Sequence, residues 1–587
     1  MDSPSGRLRG IISTKGINTC DRGPVVEQED DLGWRLGFAI SRRFWIGILA
    51  FGLILRVLGA LFGTIGVDTH VHAAYASGLT EDGEINLDWG PLRNYWNASA
   101  SRPDTDLSDI GSQQLVWHSW LGLWMSIFGA SNMSLRFMGL FHSAIFLLVV
   151  WSLTRDRFGD SAALKVTAVS ACHPILIMVG LMGYQEEVVA TCVVTGLWGL
   201  LKAVEQRFEG RRPWAISISA VVGLIGAWVK GVDLFVVCGV GAAALIFFLL
   251  YDPEGRRMRV LGNPRQLLLY SSIGTILVLI VLGSFNILIQ LSRFTIDPWR
   301  GLGSLVLSVV AFVGFWGVIA WLILPMLPEV YRRFKVDHVP MQVTYLMLVI
   351  IVPFWIIFLK NAELWVYETA LLDQPLIQIP DGKNERPVGA GVNGRYQMIL
   401  LVPIWWLILE LRRHGVRPLK ADGEQVSEVD LRYQPTWALI VGRSILVVYL
   451  ICAMLPLWAY AQFHDVSQAS HALGDELEDG EEFLLVTYPR QGTHRLYQMR
   501  LGVDPLGDRE IMGHWRDDTT PWKDEIETCL VPYRAGDIHA VDAILIWERV
   551  ESPEVENFVR VMSDDVPEGW TLLRRVSEPT CQTYVSL

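Results

Sequence analysis

Asp68, His70 and His72 fall close together in the run Val67 to Ala76, which reads V-D-T-H-V-H-A-A-Y-A. A carboxylate can take the proton from a hydroxyl as that hydroxyl attacks, and an imidazole can relay a proton or bind a metal. If the run is helical, Asp68 and His72 stand at i and i+4 and share a face. The run follows directly on an apolar stretch, Phe44 to Gly66, long enough to cross a bilayer. Asp68 therefore stands at the mouth of a span, where an ionisable group is costly unless something pairs or uses it. A solvated loop would explain the same ten residues equally well.

Other groups could complete a site. Gln113, Gln114 and His118 precede or lie within an apolar piece, Gln113 to Gly129. Glu186 and Glu187 head a later apolar run, in M-G-Y-Q-E-E. Lys230 closes another, and Arg395 with Tyr396 opens a late one. Carboxylates can act as general bases, while Lys and Arg can hold a phosphate, Arg in bidentate fashion. Asp68, His70, His72 and His118 also offer oxygen and nitrogen donors suited to a divalent metal. Each has a bland reading as well: Lys230 can snorkel, Arg395 can anchor a helix end, and the histidines can be hydrogen-bonded loop residues.

These groups must be positioned by membrane spans. The chain has 587 residues, 51% of them hydrophobic, which points to a polytopic membrane protein. Apolar runs lie near 44–66, 136–153, 161–181, 187–203, 214–229, 232–251, 267–290, 302–325, 341–359, 396–411 and 436–460. That is about eleven transmembrane helices. Gln113 to Gly129 is too short to cross and is expected as an interfacial helix. Seven cysteines without a CxxC pair argue against a zinc ribbon or a thioredoxin-like motif.

Charge orients the spans. Arg42 and Arg43 precede the first, and alternate loops carry Arg155 and Arg157, Arg211 and Arg212, Arg256 and Arg257, Arg332 and Arg333, then Arg412 and Arg413. By the positive-inside rule these face the cytoplasm. Residues 1–43 are then a cytoplasmic, disordered tail, 44–460 a membrane domain, and 461–587 a soluble domain outside. That last segment holds 11 Lys and Arg against 25 Asp and Glu, a net −14 out of −12 for the whole chain. Such acidity disfavours nucleic acid and anionic lipid as partners. Within it, Phe483 to Tyr488 and Ala543 to Trp547 read as strands and Pro553 to Met562 as a helix. Cys529 and Cys581, in an oxidising compartment, are expected to pair.

All the candidate groups then face outward, the first from a long loop, 67–135. Carboxylates and cations on one face above long apolar helices fit the transfer of a group from a lipid-linked phosphate to an acceptor outside. A transporter or lipid flippase could use the same charges, but few of them fall within the spans. A receptor using only the acidic domain would leave the membrane half unexplained.

The order of motifs resembles the polytopic glycosyltransferases of the GT-C class, in particular the protein O-mannosyltransferase and aminoarabinose transferase branch. The first outer loop there opens with Asp-Glu, then a Tyr and an Ala at fixed spacing; here Asp68, His72 and Ala76 match in position, with Thr69 in place of the Glu. The interfacial helix follows as Q-Q-L-V-W-H-S-W-L-G-L-W-M-S-I-F-G and then Leu135-Arg136, with Gln113 and Gln114 replacing two prolines. Pro174 precedes Glu186 and Glu187, Lys230-Gly231 matches a Lys-Gly pair, and Arg395-Tyr396 opens a span before Pro403. The resemblance covers about residues 44–410. It implies an all-α GT-C-like membrane domain, followed here by a small α/β extracytoplasmic domain. It also implies inverting transfer of a sugar from a polyprenyl-phosphate donor to a lipid, glycan or protein acceptor, with Asp68 near that acceptor.

The topology is directly testable. A cysteine at Gly210 should resist an impermeant thiol reagent in intact cells, and one at Ser101 should react. The reverse pattern would contradict the orientation.

Overall fold

The computed structural model describes residues 41–63, 114–129, 131–208, 214–230, 317–323, 398–413, 436–461, 464–487, 511–517, 522–528, 540–547 and 554–577, with short pieces between 65 and 76, at 212, at 251–252 and 257–258, at 326 and 329, and between 499 and 509. Asp68, Gln113, Arg395, Tyr396, Cys529, Cys581 and the expected spans at 232–251, 267–290 and 341–359 lie outside the described residues.

The first helix, α1 (Arg42–Phe62), buries Trp45, Ile48, Gly52, Leu55, Arg56, Gly59 and Ala60. Its other face is also apolar, with Phe44, Ile54, Leu61 and Phe62 exposed. A helix apolar all round belongs in lipid. The segment expected to be interfacial forms α2 (Leu115–Phe128), and α3 (Asn132–Phe158) follows, its start capped by Ser131 Oγ accepting from Ser134 N at 3.1 Å. Arg136 of α3 donates from one Nη to the Leu61 and Gly63 carbonyls at 3.1 and 2.7 Å. That satisfies carbonyls left open at the end of α1.

Next come α4 (Asp160–Ala171) and α5 (Pro174–Met182), bent by 62° at the break between them. Pro174 forces the break, because it has no N–H and biases His173 before it to extended backbone. Gly183, at φ 68°, ends α5 in the left-handed conformation, and Tyr184 N donates back to Val179 O at 3.1 Å. Helix α6 (Glu186–Phe208) and α7 (Ala215–Lys230) then pack side by side. Strand β1 (Tyr251–Asp252) pairs antiparallel with β2 (Arg257–Met258). The remaining described membrane helices are α8 (Val318–Ile323), α9 (Leu401–Arg413) and α10 (Thr436–Ala461).

Among the described residues, three helices are long and apolar enough to cross a membrane, or four if α4 and α5 form one broken span. The protein is therefore multi-pass. Small residues let these helices approach closely, as membrane packing requires. A side chain on Gly52 would fall 2.6 Å from the Ala171 backbone, and one on Gly139 would fall 2.1 Å from the Gly180 carbonyl. Towards the basic end, Arg157 pairs with Glu205 at 3.0 Å and with Glu410, tying α3 to α6 and α9.

The acidic segment builds a second core on α11 (His464–Glu476), β3 (Glu482–Thr487), β4 (Met512–Asp517), α12 (Trp522–Thr528), β5 (Ala543–Trp547), β6 (Phe558–Arg560) and β7 (Trp570–Arg575). The sheet order is β4-β3-β5-β7-β6; β3 runs parallel to β4 and β5, and β7 runs antiparallel to β5 and β6. The strands expected at 483–488 and 543–547 are β3 and β5, two of the three interior strands. The helix expected over Pro553 to Met562 is instead a turn leading into β6. Asn557 adopts φ 68°, which an asparagine tolerates and an α-helix does not, and Phe558 to Arg560 pair with β7.

Candidate active site

Two segments of the membrane domain that the charge pattern is expected to turn outward meet. Gly66 N donates to the Met182 carbonyl at 3.0 Å, and Thr69 Oγ1 donates to the same oxygen at 2.7 Å. The beginning of the first outer loop is thereby seated on the α5–α6 turn, directly before Glu186 and Glu187. The fit is close: a side chain on Gly66 would fall 2.4 Å from the Tyr184 ring. Thr69, which stands where the resembling enzymes carry a Glu, serves as this docking contact.

The histidines of the loop are buried rather than solvated. His70 Nδ1 lies 3.0 Å from the Gly66 carbonyl and Nε2 lies 3.1 Å from the Asn132 amide oxygen. Burial pulls the His70 imidazole down to about 4, against smaller opposing contributions from Gly66 and Asn132. The neutral ring therefore donates from Nδ1 to the Gly66 carbonyl. His72 Nδ1 meets His118 Nε2 at 2.9 Å, so loop and interfacial helix share one proton between two rings. Gln114 is buried at the start of α2. Among the described residues no group of three or more His, Cys, Asp or Glu side chains is placed to hold a metal.

Glu186 and Glu187 open α6, where the positive end of the helix dipole favours carboxylates. Both are buried, at 3% and 1% exposure. Glu187 is turned into the core: one oxygen accepts from Arg56 Nη1 at 2.9 Å, and the other from Ser143 Oγ at 2.6 Å. Arg56 also donates to the Ala171 and Ser170 carbonyls at 3.4 Å each, at the end of α4. A cation at a helix C-terminus is favourable. Gly180 makes room for the cluster, since a side chain there would lie 2.2 Å from Ser143 Oγ. Lys230 ends α7.

The structure thus joins His70, His72 and His118 to the Glu186–Glu187 turn through Gly66 and Thr69. Arg56 and Ser143 were missed from sequence, although a lone Arg inside an apolar run signals a partner.

Residues 115–283 match the family model of dolichyl-phosphate-mannose-protein mannosyltransferases. The expected resemblance to this branch holds over that part of the chain, which contains α2 to α7. No curated protein matches the chain. The crystal structure of ArnT from Cupriavidus metallidurans bound to undecaprenyl phosphate aligns at 10% identity over 92% of this chain and 100% of its own, with a TM-score of 0.37. The same protein in the apo state aligns at 12% identity over 91% of this chain and 98% of its own, also at 0.37.

The buried His70 gives a pH signature. The unfolded chain takes up its proton near 6.5 and the folded one only near 4. Below 6.5 the unfolded state therefore binds a proton that the folded state refuses, and stability falls as pH drops towards 4. The thermal midpoint of the wild type should fall more steeply between pH 7 and 4.5 than that of His70→Gln. Equal slopes would contradict the burial.

Proposed function

We propose that the chain is a membrane glycosyltransferase that moves a sugar from a polyprenyl-phosphate donor to an acceptor on the outer face of the membrane, with inversion at the anomeric carbon. The observation that carries this reading is the docking of the first outer loop on the α5–α6 turn through the Met182 carbonyl. It brings Gly66 and Thr69, which flank Asp68 in sequence, to the turn that precedes Glu186 and Glu187, which supports a shared site. The family match over 115–283 includes that turn and supplies the reaction class.

In this reading Asp68 is the general base. An acceptor hydroxyl has a high pKa, so proton removal must accompany attack on the sugar. Glu187, held by Arg56, fixes the start of α6, and Glu186 orients the acceptor. Lys230 and Arg395 hold the donor phosphate, with Tyr396 beside them, and His72 and His118 support the loop. The acceptor is a lipid, a glycan or a protein. The N-terminus faces the cytoplasm and the domain from 461 onward lies outside.

A carrier would also use a broken span, because unwound carbonyls can coordinate ions. Here Arg56 occupies the Ser170 and Ala171 carbonyls at the break, and Tyr449 donates to the Val169 carbonyl at 2.6 Å. That supports a structural role for the break.

Asp68→Asn should cut turnover by at least about 100-fold while donor binding survives. Lys230→Ala or Arg395→Ala should instead weaken donor use by about ten-fold, as loss of a charge-assisted contact does. Full activity in Asp68→Asn, or substrate moving across liposomes without bond exchange, would contradict the proposal.

A further inference from the structure

The C-terminal sheet reverses its winding at β3. The chain passes from β3 to β4 on one side and then crosses to β5 on the other, and the three strands are parallel. In open α/β sheets a ligand binds beyond the carboxyl ends of the strands at such a reversal, because the connections leave in opposite directions and open a crevice. The carboxyl ends flanking that point are Thr487 on β3 and Trp547 on β5.

Side chains alternate between the faces of a strand, so the register decides which of them meet. Leu485 stands opposite Trp515 of β4, and Thr487 follows two residues later on the same face. Val486 is level with Ile546, which puts Trp547 beside Thr487, and Trp547 pairs with Trp570 of β7. These two indoles stack, with ring centres 5.8 Å apart and planes within 9°. Thr487 is fully buried and its hydroxyl has no hydrogen-bond partner; neither has the buried Nε1–H of Trp515. Buried polar groups in native proteins are nearly always satisfied. The Trp515 ring is only partly buried and lies on an edge strand, so the two groups are approached past it.

An indole N–H only donates, while a hydroxyl both donates and accepts. One incoming hydroxyl can therefore accept from Trp515 and share a bond with Thr487. Neither group is charged, and Asp564, Asp565 and Glu568 are exposed in the turn that leads to Trp570 at the same edge. That negative charge disfavours the phosphates of a nucleotide. Aromatic rings with a few neutral hydrogen-bonding groups suit a hydroxylated ring instead. We propose that this edge of the sheet binds a neutral sugar ring of a glycan, one hydroxyl of which bridges Thr487 and Trp515. The glycan is then the acceptor of the transfer proposed above; that role rests on the transfer reading, and the binding does not. A trapped water would fill the same two bonds, and affinity for carbohydrate separates the two.

Calorimetric titration of the full-length protein, in a detergent without a sugar head group and without donor, tests the site. The probes are neutral oligosaccharides of mannose, glucose, galactose and arabinose, and at least one should bind. Thr487→Val keeps the shape and removes the hydroxyl; Trp515→Phe removes the N–H and keeps an aromatic ring. Each should weaken that oligosaccharide about five- to ten-fold. Because the Thr487 hydroxyl has no partner within the protein, Thr487→Val should also leave the thermal midpoint unchanged or raise it. The site is overturned if no oligosaccharide binds, if either variant binds as tightly as the wild type, or if Thr487→Val lowers the midpoint. Sugar transfer is read separately, as product formed from a polyprenyl-phosphate donor. A wild type that binds the oligosaccharide and transfers no sugar keeps the site and loses the transfer reading; one that transfers sugar and binds none keeps the reading and loses the site.

Discussion

An arginine inside a membrane span is tolerated only if its charge is met, and Arg56 is met from three sides. Its guanidinium reaches Glu187 at the start of α6, Ser143 on α3, and the last carbonyls of α4. Each partner answers a separate difficulty. Glu187 is a buried carboxylate that would be costly alone, and the α4 carbonyls are left open by the break before Pro174. One cation resolves both, and in doing so ties four helices together. Its position follows from α1, whose small Gly52 and Gly59 let α4 and α5 approach the same face.

The lock has a consequence at the end of α5. With Glu187 held, the α5–α6 turn is fixed, and the Met182 carbonyl stays where Gly66 and Thr69 can reach it. The first outer loop is then anchored at its root, and His70 and His72 are drawn into contacts with Asn132 and His118. Ionisable groups that would be expensive at a membrane boundary are thus either paired or kept neutral by burial.

Much of this arrangement was legible in the chain because membrane spans announce themselves. The apolar runs at 44–66, 136–153 and 436–460 fall within α1, α3 and α10 or nearly so, since hydrocarbon thickness fixes their length. The run at 161–181 hid a 62° bend, although Pro174 marked it. Glu186 and Glu187 looked equivalent in sequence. Only packing separates them, because Glu187 alone meets Arg56 and Ser143 in the structure. Arg56 itself was overlooked inside an apolar stretch, and Thr69 was read as a departure from a motif rather than as a contact. In the C-terminal sheet domain the buried β3 and β5 were plain from their apolar runs. The stretch around Phe558 had helical spacing, but edge pairing with β7 and a left-handed Asn557 decided otherwise.

The claim on which the account turns is that Arg56 and Glu187 work as a pair. A double-mutant cycle with Arg56→Met, Glu187→Met and both together, read as unfolding free energy of the full chain in detergent, measures this directly. Leaving one buried charge alone should cost about 3–5 kcal/mol in each single variant. The account predicts that the double variant loses less than the sum of the two, by at least about 1 kcal/mol. Strictly additive losses would contradict it.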